Sequence, residues 1–386
     1  MKKKVLRIIN RFNLGGPTYN AAYLTKYLED EYETLLVGGI RDDFEESSMH
    51  ILNDLGLDPI VIPEMKRSIN LKNDRTAFQK IQKLIQEFKP DIVHTHASKA
   101  GAIGRRAAYK EGVKQIYHTF HGHVFHSYFG SLKTNIYKSI ERNLAKKSTK
   151  IIAISDIQKY ELSDIHKICP KEKIEVIPLG FDLKKFYTDT EKKRKKFRTE
   201  WNLSDDEIAI GIIGRLAPIK NHKFFIDVID RILKLTHKKL RFFIIGDGEE
   251  KENIITHINS KNIDFSNNEK KATVQLTSWI KEIDIANAGM DIICLCSKNE
   301  GTPVSLIEAQ ASSKPIVSTK TGGIENIVIE NETALLSDLN DINSFTNNLL
   351  KLIESEKLRT QLIINSKNKS DEFNYKTLTN NIKNLY

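Results

Sequence analysis

The run Ile292-Ile293-Cys294-Leu295-Cys296, followed closely by Asn299-Glu300-Gly301-Thr302-Pro303-Val304-Ser305-Leu306-Ile307-Glu308-Ala309, decides how this chain is read. Consecutive apolar residues without alternation suit a strand covered on both faces, as in a parallel sheet. Pro303 then suits the first turn of a helix, where its missing N–H costs nothing. Strand, short loop and helix make half of a βαβ unit, and the same pattern recurs along the chain. Short β-branched runs stand at Val5–Ile9, Glu33–Val37, Asp91–Thr95, Gln115–Thr119, Lys150–Ser155 and Ile174–Pro178 in the first half. In the second half they stand at Ile208–Gly214, Arg241–Gly246, Thr273–Thr277, Met290–Cys296 and Pro315–Thr319. A helical pattern follows each, so the expectation is an α/β fold with parallel sheets. No short-period repeat is visible, which excludes a solenoid or propeller.

A chain of 386 residues is too long for one compact domain, and a break is legible. Ile177-Pro178-Leu179-Gly180-Phe181-Asp182 punctuates the end of a strand, and the charged Glu191-Lys192-Lys193-Arg194-Lys195-Lys196 follows before a new strand at Ile208. The expected division is 1–187 and 188–370, with 371–386 a C-terminal helix packing back towards the N-terminal domain through Phe373, Leu378, Ile382 and Leu385. Two Rossmann-like, doubly wound domains would leave an interdomain cleft at the carboxyl ends of their strands, where such folds bind ligands.

Composition narrows the class. Hydrophobic residues at 40% and charged residues at 28% describe a globular protein, and no apolar run approaches the ~20 residues of a membrane span. Met1-Lys2-Lys3-Lys4 opens like a signal peptide, but Asn10-Arg11 interrupts the apolar run behind it, so secretion is not expected. Cys169, Cys294 and Cys296, with no CxxC spacing, exclude a disulfide framework and a cysteine-rich zinc site, and fit a reducing cytoplasm. The net charge of +10 is uneven: residues 1–187 carry 31 Lys+Arg against 22 Asp+Glu, and residues 188–386 carry 29 against 28. The first half should therefore face something anionic.

The chemistry-bearing residues gather at strand ends. Peptide N–H groups at the helix start after Pro303 can hold a diphosphate. Glu300 in the loop can accept hydrogen bonds from hydroxyls, and Glu308 lies about a turn and a half into the helix, within reach of the same cleft. Gly214-Arg215-Leu216-Ala217-Pro218-Ile219-Lys220-Asn221 follows the first strand of the second domain and brings two cations to the carboxyl end of that sheet. Fixed positive charge there is what a departing diphosphate requires. Gly246-Asp247-Gly248 and Thr321-Gly322-Gly323 fall on the same rim. In the first domain, Asn13-Leu14-Gly15-Gly16-Pro17-Thr18 lets a ligand approach the backbone, but it is not GxGxxG and does not indicate a dehydrogenase. His94, His96, His118, His121, His123 and His126 cluster in sequence, without a nearby carboxylate ligand and without HExxH, so no metal is expected. His121, at a strand end, suits a neutral hydrogen-bond partner in the cleft, while His94 and His118 read as core or supporting residues. The chain has no Asp-x-Asp, the usual clamp for a metal–nucleotide-sugar complex.

Taken together these residues resemble family 4 of the retaining glycosyltransferases, which have the GT-B fold. The resemblance runs along essentially the whole chain. Its markers are Gly15-Gly16, Thr119-Phe120-His121-Gly122-His123, Val176-Ile177-Pro178-Leu179-Gly180-Phe181-Asp182, Gly214-Arg215-Leu216 with Lys220, Gly246-Asp247-Gly248, and Glu300 with Glu308. Val93-His94-Thr95-His96 with Lys99-Ala100-Gly101, and His121-Gly122-His123-Val124-Phe125, are similar to the bacterial capsule and O-antigen branch. The resemblance implies transfer of a sugar from a nucleotide sugar, usually a UDP-sugar, to a polyprenyl-diphosphate-linked glycan. It implies no cofactor and no metal. Arg215 and Lys220 would bind the donor diphosphate, helped by the backbone of Val304, Ser305 and Leu306. Glu300 would bind the hydroxyls of the transferred sugar and Glu308 the ribose. Gly16 would approach the donor phosphate or the acceptor, and His121 would lie near the anomeric carbon.

Asn is more usual in the family at Leu179, and Gly at Asn221 and Ser278. The same diphosphate site would serve a non-transferring GT-B enzyme, such as a hydrolysing UDP-sugar 2-epimerase, or a non-catalytic UDP-sugar-binding protein. A nucleic-acid partner is not expected, since no binding module is recognisable. A peripheral place at the inner face of the cytoplasmic membrane is expected through the first domain. There Val124, Phe125, Tyr128 and Phe129 precede a helix with Leu132, Ile136, Ile140 and Leu144 on one stripe, flanked by Lys133, Lys138, Arg142, Lys146 and Lys147; the stripe suits either a membrane interface or the domain core, and in both cases the cations face outward.

Overall fold

The computed structural model describes residues 2–13, 15–41, 47–66, 68–121, 131–267 and 271–386. They form two compact units, Met1–Phe181 with Phe373–Tyr386, and Asp182–Glu372. The first unit contains strands β1 (Lys3–Arg11), β2 (Tyr32–Gly39), β3 (Ile60–Val61), β4 (Ile92–His96), β5 (Gln115–Thr119), β6 (Lys150–Ala153) and β7 (Ile174–Val176). Among the described residues they make one parallel sheet, ordered β3-β2-β1-β4-β5-β6-β7. The second unit contains β8 (Glu207–Ile213), β9 (Lys239–Ile245), β10 (Phe265–Ser266), β11 (Val274–Ser278), β12 (Ile292–Leu295), β13 (Ile316–Thr319) and β14 (Ala334–Ser337). Its sheet, also parallel, is ordered β10-β11-β9-β8-β12-β13-β14. In each sheet the winding reverses beside the first strand, between β1 and β4 and between β8 and β12, which marks the ligand-binding end of such a fold.

Every apolar run expected to be a strand is one, because a strand flanked by helices on both faces must be apolar on both. Val5, Leu6 and Ile8 in β1 are fully buried, as are Phe242, Phe243 and Ile244 in β9. The additional strands are β3 and β10, of 2 residues each, and the short β14. A two-residue strand is too short to carry any periodicity.

The division between the units differs from the expected one. Lys184–Tyr187 is a helical turn packed on the helices Ile283–Gly289 and Val304–Ala311, so the chain changes unit at Phe181 and not after residue 187. It returns at Phe373. The Phe181 N–H donates to the Phe373 carbonyl at 2.8 Å and the Tyr375 N–H to the Phe181 carbonyl at 3.0 Å. The final helix, Tyr375–Leu385, then buries Leu378 and Ile382 in a cluster with Val5, Leu24, Ile92 and Tyr117. Gly180 makes room for it, since a Cβ there would stand 2.6 Å from the Leu378 Cβ.

The expected amphipathic helix is Ser131–Lys147. Its stripe is divided: Leu144 is buried in the unit while Ile136 is 53% exposed. The Arg142 guanidinium donates to the carbonyls of Lys167 and His166, both at 2.8 Å, so this cation ties the helix to its own unit. Val124, Phe125, Tyr128 and Phe129, with Gly122, His123 and His126, lie outside the described residues. Among the described residues no helix is long and apolar enough to cross a membrane.

Candidate functional site

Within the second unit, the residues singled out from sequence gather at the carboxyl ends of β8, β9, β12 and β13. Gly214 ends β8, and the chain runs through a single 3-10 turn, Pro218–Lys220, to Asn221. Asn221 has φ 59°, so the position usually filled by Gly is one that Asn also tolerates. That turn directs the Lys220 side chain at the loop after β12. Its Nζ meets Glu300 Oε1 at 2.6 Å, and the Ser297 hydroxyl donates to the same oxygen at 2.5 Å. The two charged side chains are 23% and 10% exposed, so the pair is mostly sheltered but reachable. Lys220 and Glu300 were expected to bind different parts of one ligand; here they hold each other. Ser297 escaped sequence reading, although a hydroxyl three residues before Glu300, directly after an apolar strand, was a usable signal.

The glutamate loop is braced by the rim glycines. Gly323 N–H donates to the Glu300 carbonyl at 2.8 Å, and the Thr321 hydroxyl to the Ser297 carbonyl at 3.1 Å. Gly322 has φ 55°, and a Cβ on it would come within 2.1 Å of the Glu300 carbonyl oxygen. Any other residue would push Glu300 off Lys220. Arg215 is exposed and its side chain makes no hydrogen bond or ion pair among the described residues, so its guanidinium is available to an incoming anion.

The helix after Glu300 runs from Val304 to Ala311, with Pro303 as its N-cap and not inside its first turn as expected. Leu306 N–H is engaged by the Pro303 carbonyl at 3.0 Å. Among the described residues the amides of Val304 and Ser305 are left as the free donors of the three. Glu308 is half-buried on this helix, and burial pushes its carboxyl up to about 7, against the pull of Lys185. On the neighbouring rim, Ser278 occupies another left-handed position, φ 57°, where the family often has Gly. Its hydroxyl donates to Asp247 Oδ2 at 2.6 Å, which offsets part of the strain and holds the Asp247 carboxyl low. Trp279, next in the chain, is 49% exposed.

In the first unit, Gly16 opens the helix Gly16–Lys26, half-exposed. A Cβ there would lie 3.1 Å from Leu179 Cδ1, so the unusual Leu179 is what approaches this glycine. His121 follows β5, and its Nε2 lies 3.0 Å from His96 Nδ1. Desolvation holds His121 down to about 3, so the ring is neutral at physiological pH. His94 and His118 are fully buried and hydrogen-bonded, to Tyr386 and Thr119 and to Thr95 respectively. Among the described residues no three His, Cys, Asp or Glu side chains converge as metal ligands would.

Two doubly wound units, one of which presents cations, a braced glutamate and free helix amides at its strand ends, define a GT-B fold. Comparison with known proteins agrees. Residues 193–369 match the family model "Glycosyl transferases group 1", and residues 14–185 match "Glycosyltransferase Family 4". The UDP-Gal:alpha-D-GlcNAc-diphosphoundecaprenol alpha-1,3-galactosyltransferase of Escherichia coli is 32% identical over 335 residues, covering 84% of this chain and 82% of that protein. The capsular polysaccharide biosynthesis glycosyltransferase CapM of Staphylococcus aureus is 25% identical over 336 residues, covering 84% of each. Among solved structures, Anabaena HepE in complex with UDP superimposes with a TM-score of 0.79 at 18% identity, covering 100% of this chain and 99% of that one. The chain belongs to the family 4, group 1 glycosyltransferases, and is a glycosyltransferase.

Proposed function

We propose that this glycosyltransferase is a retaining enzyme that moves a sugar from a UDP-sugar to a polyprenyl-diphosphate-linked glycan, in the synthesis of a capsule, O-antigen or exopolysaccharide. The observation that carries the donor half is the Lys220–Glu300 pair just ahead of the helix start at Val304 and Ser305, with exposed Arg215 on the same loop as Lys220. Cations on the loop after β8 and amides at the helix start after β12 lie on the same strand-end rim, which suits a diphosphate that gains charge as it leaves. Glu300 then takes hydroxyls of the transferred sugar and Glu308 the ribose, while His121 hydrogen-bonds near the anomeric carbon. Support for the acceptor half is the likeness to the Escherichia coli enzyme, which by its name acts on a sugar on diphosphoundecaprenol.

The way Glu300 is held supports one of the two routes to retention. Its carboxylate is already engaged by Lys220 and Ser297, which favours a front-face route over a covalent glycosyl-enzyme. The bond from the anomeric carbon to the diphosphate oxygen breaks, the acceptor oxygen bonds to the same face, and the acceptor proton passes to the departing diphosphate. With cations at the diphosphate and no Asp-x-Asp in the chain, the reaction needs no metal. The enzyme would meet its lipid acceptor at the inner face of the membrane through the basic first unit, with exposed Ile136, Lys146 and the exposed Tyr109, whose ring carries Lys147 at 4.9 Å.

The test is a thermal-shift screen of UDP-, GDP- and TDP-sugars, followed by product mass on polyprenyl-diphosphate-linked acceptors, with and without EDTA. A UDP-sugar should stabilise the protein and be transferred in EDTA with retained configuration. Free UDP-sugar turnover without acceptor would favour a hydrolysing 2-epimerase. UDP binding with no turnover would favour a binding protein.

A further inference from the structure

The first unit holds a stack of imidazoles that the donor site does not use. His94 and His96 alternate on β4 and so share one face of the sheet; their ring centroids are 4.2 Å apart and inclined by 27°. His121 continues the stack, 5.3 Å from His96 at 26°. Behind it, the fully buried Arg7 donates through Nη2 to the Tyr386 phenol oxygen at 3.1 Å. A guanidinium can only donate, which leaves the phenol's own proton free for His94 Nδ1, 2.5 Å away. His94 is then protonated on Nε2, which donates to the Thr119 hydroxyl at 2.8 Å.

The front needs one more step. His96 Nδ1 and His121 Nε2, 3.0 Å apart, can share one proton when both rings are neutral, and burial keeps them so. The two remaining nitrogens, His96 Nε2 and His121 Nδ1, have no partner among the described residues. One of them must therefore carry an unpaired N–H, the less tolerable kind of orphan. Both orphan nitrogens are buried, but His96 is fully buried within its strand, whereas His121 sits beyond the strand end with part of its side chain exposed, so a ligand reaches the His121 orphan with the smaller rearrangement. The orphan N–H belongs where a ligand can take it up.

We propose that His96 is a positioning residue for His121: its Nδ1–H donates to His121 Nε2 and so presents His121 as a hydrogen-bond donor through Nδ1. The Tyr386 phenol secures the stack from behind. The catalytic consequence rests on the role proposed for His121, but the tautomer does not.

Both are open to measurement. Long-range ¹⁵N–¹H spectra of histidine-labelled full-length protein identify which nitrogen of His121 is protonated. The expected form is Nδ1–H, the minor tautomer of free imidazole side chains; an Nε2–H form in the wild type overturns the proposal. His96→Asn keeps a donor near the position of Nδ1 and should retain the Nδ1–H form, while His96→Leu should lose it. Turnover, followed as UDP released from UDP-galactose with GlcNAc-diphosphoundecaprenol, should fall about tenfold in kcat in His96→Leu, with donor KM within about twofold. His96→Asn should recover most of that loss. In a His121→Ala background the His96→Leu loss should vanish, since its only route is through His121. A full tenfold loss in that background would make His96 merely structural and overturn the positioning role. Unaltered turnover in His121→Ala itself would remove the role proposed for His121, while the spectra still decide the tautomer.

Discussion

Replacing Glu300 with Gln tests the meaning of the Lys220–Glu300 pair. Sequence alone gives the two residues separate tasks, so UDP affinity should barely change in Glu300→Gln. The 2.6 Å ion pair alters that expectation. A diphosphate that binds Lys220 must share its ammonium with the Glu300 carboxylate or displace it. With the carboxylate about 5 Å from a phosphate on the far side of the ammonium, Coulomb's law at an effective dielectric of about 20 gives roughly 3 kcal/mol of repulsion per charge. Partial exposure of both side chains, 23% and 10%, and solution ions reduce it, to about 1–2 kcal/mol. Glu300→Gln should therefore bind UDP about five- to thirtyfold more tightly than wild type. It should nevertheless transfer sugar roughly 100-fold more slowly, having lost the charged acceptor for the sugar hydroxyls. Isothermal titration with UDP at two salt concentrations, alongside turnover, separates the two effects, and the affinity gain should shrink at the higher salt. Equal or weaker UDP binding at low salt would refute the idea that Glu300 competes for Lys220.

Lys220→Ala and Arg215→Ala should each lower turnover ~100-fold or more, with melting temperatures unchanged within about 2 °C, since neither side chain supports the core. Near-wild-type rates in both would remove the donor-site assignment. Glu308 has a carboxyl raised from 4.5 to about 7 by burial, so the folded protein holds a proton there that the unfolded chain has lost. Stability from this group is full below about pH 4.5 and declines as pH rises through about 7; Glu308→Gln escapes that decline, and should gain about 1–2 kcal/mol over wild type at pH 8 and little at pH 5 in paired melts. Reversing Lys138 and Lys146 to Glu should weaken binding to anionic phosphatidylglycerol vesicles at least about tenfold while sparing transfer to a short soluble acceptor. Arg142 is left out because its guanidinium holds the Lys167 and His166 carbonyls, and its reversal would disturb the unit itself.

What the sequence determined by itself was whatever a short stretch must declare locally. A parallel strand buried on both faces has to be apolar throughout, so β1, β9 and β12 were visible as runs. The docked C-terminal helix declared itself by the spacing of Leu378, Ile382 and Leu385, and the donor loops by glycines, cations and glutamates next to strand ends. Only the tertiary structure decided which of these meet. Lys220 and Glu300 are separated by 80 residues and His94 and Tyr386 by 292, and no local pattern encodes a pairing over such distances. Asn221 and Ser278 read as departures from glycine until their left-handed φ angles accounted for them. The transfer of Lys184–Tyr187 to the second unit was equally hidden, because a four-residue turn takes its side from the surface that it packs against. In the sequence His96 is one more member of a histidine cluster; its place beside His121 arises from the register of β4 with β5, which is a property of the sheet and of no single strand.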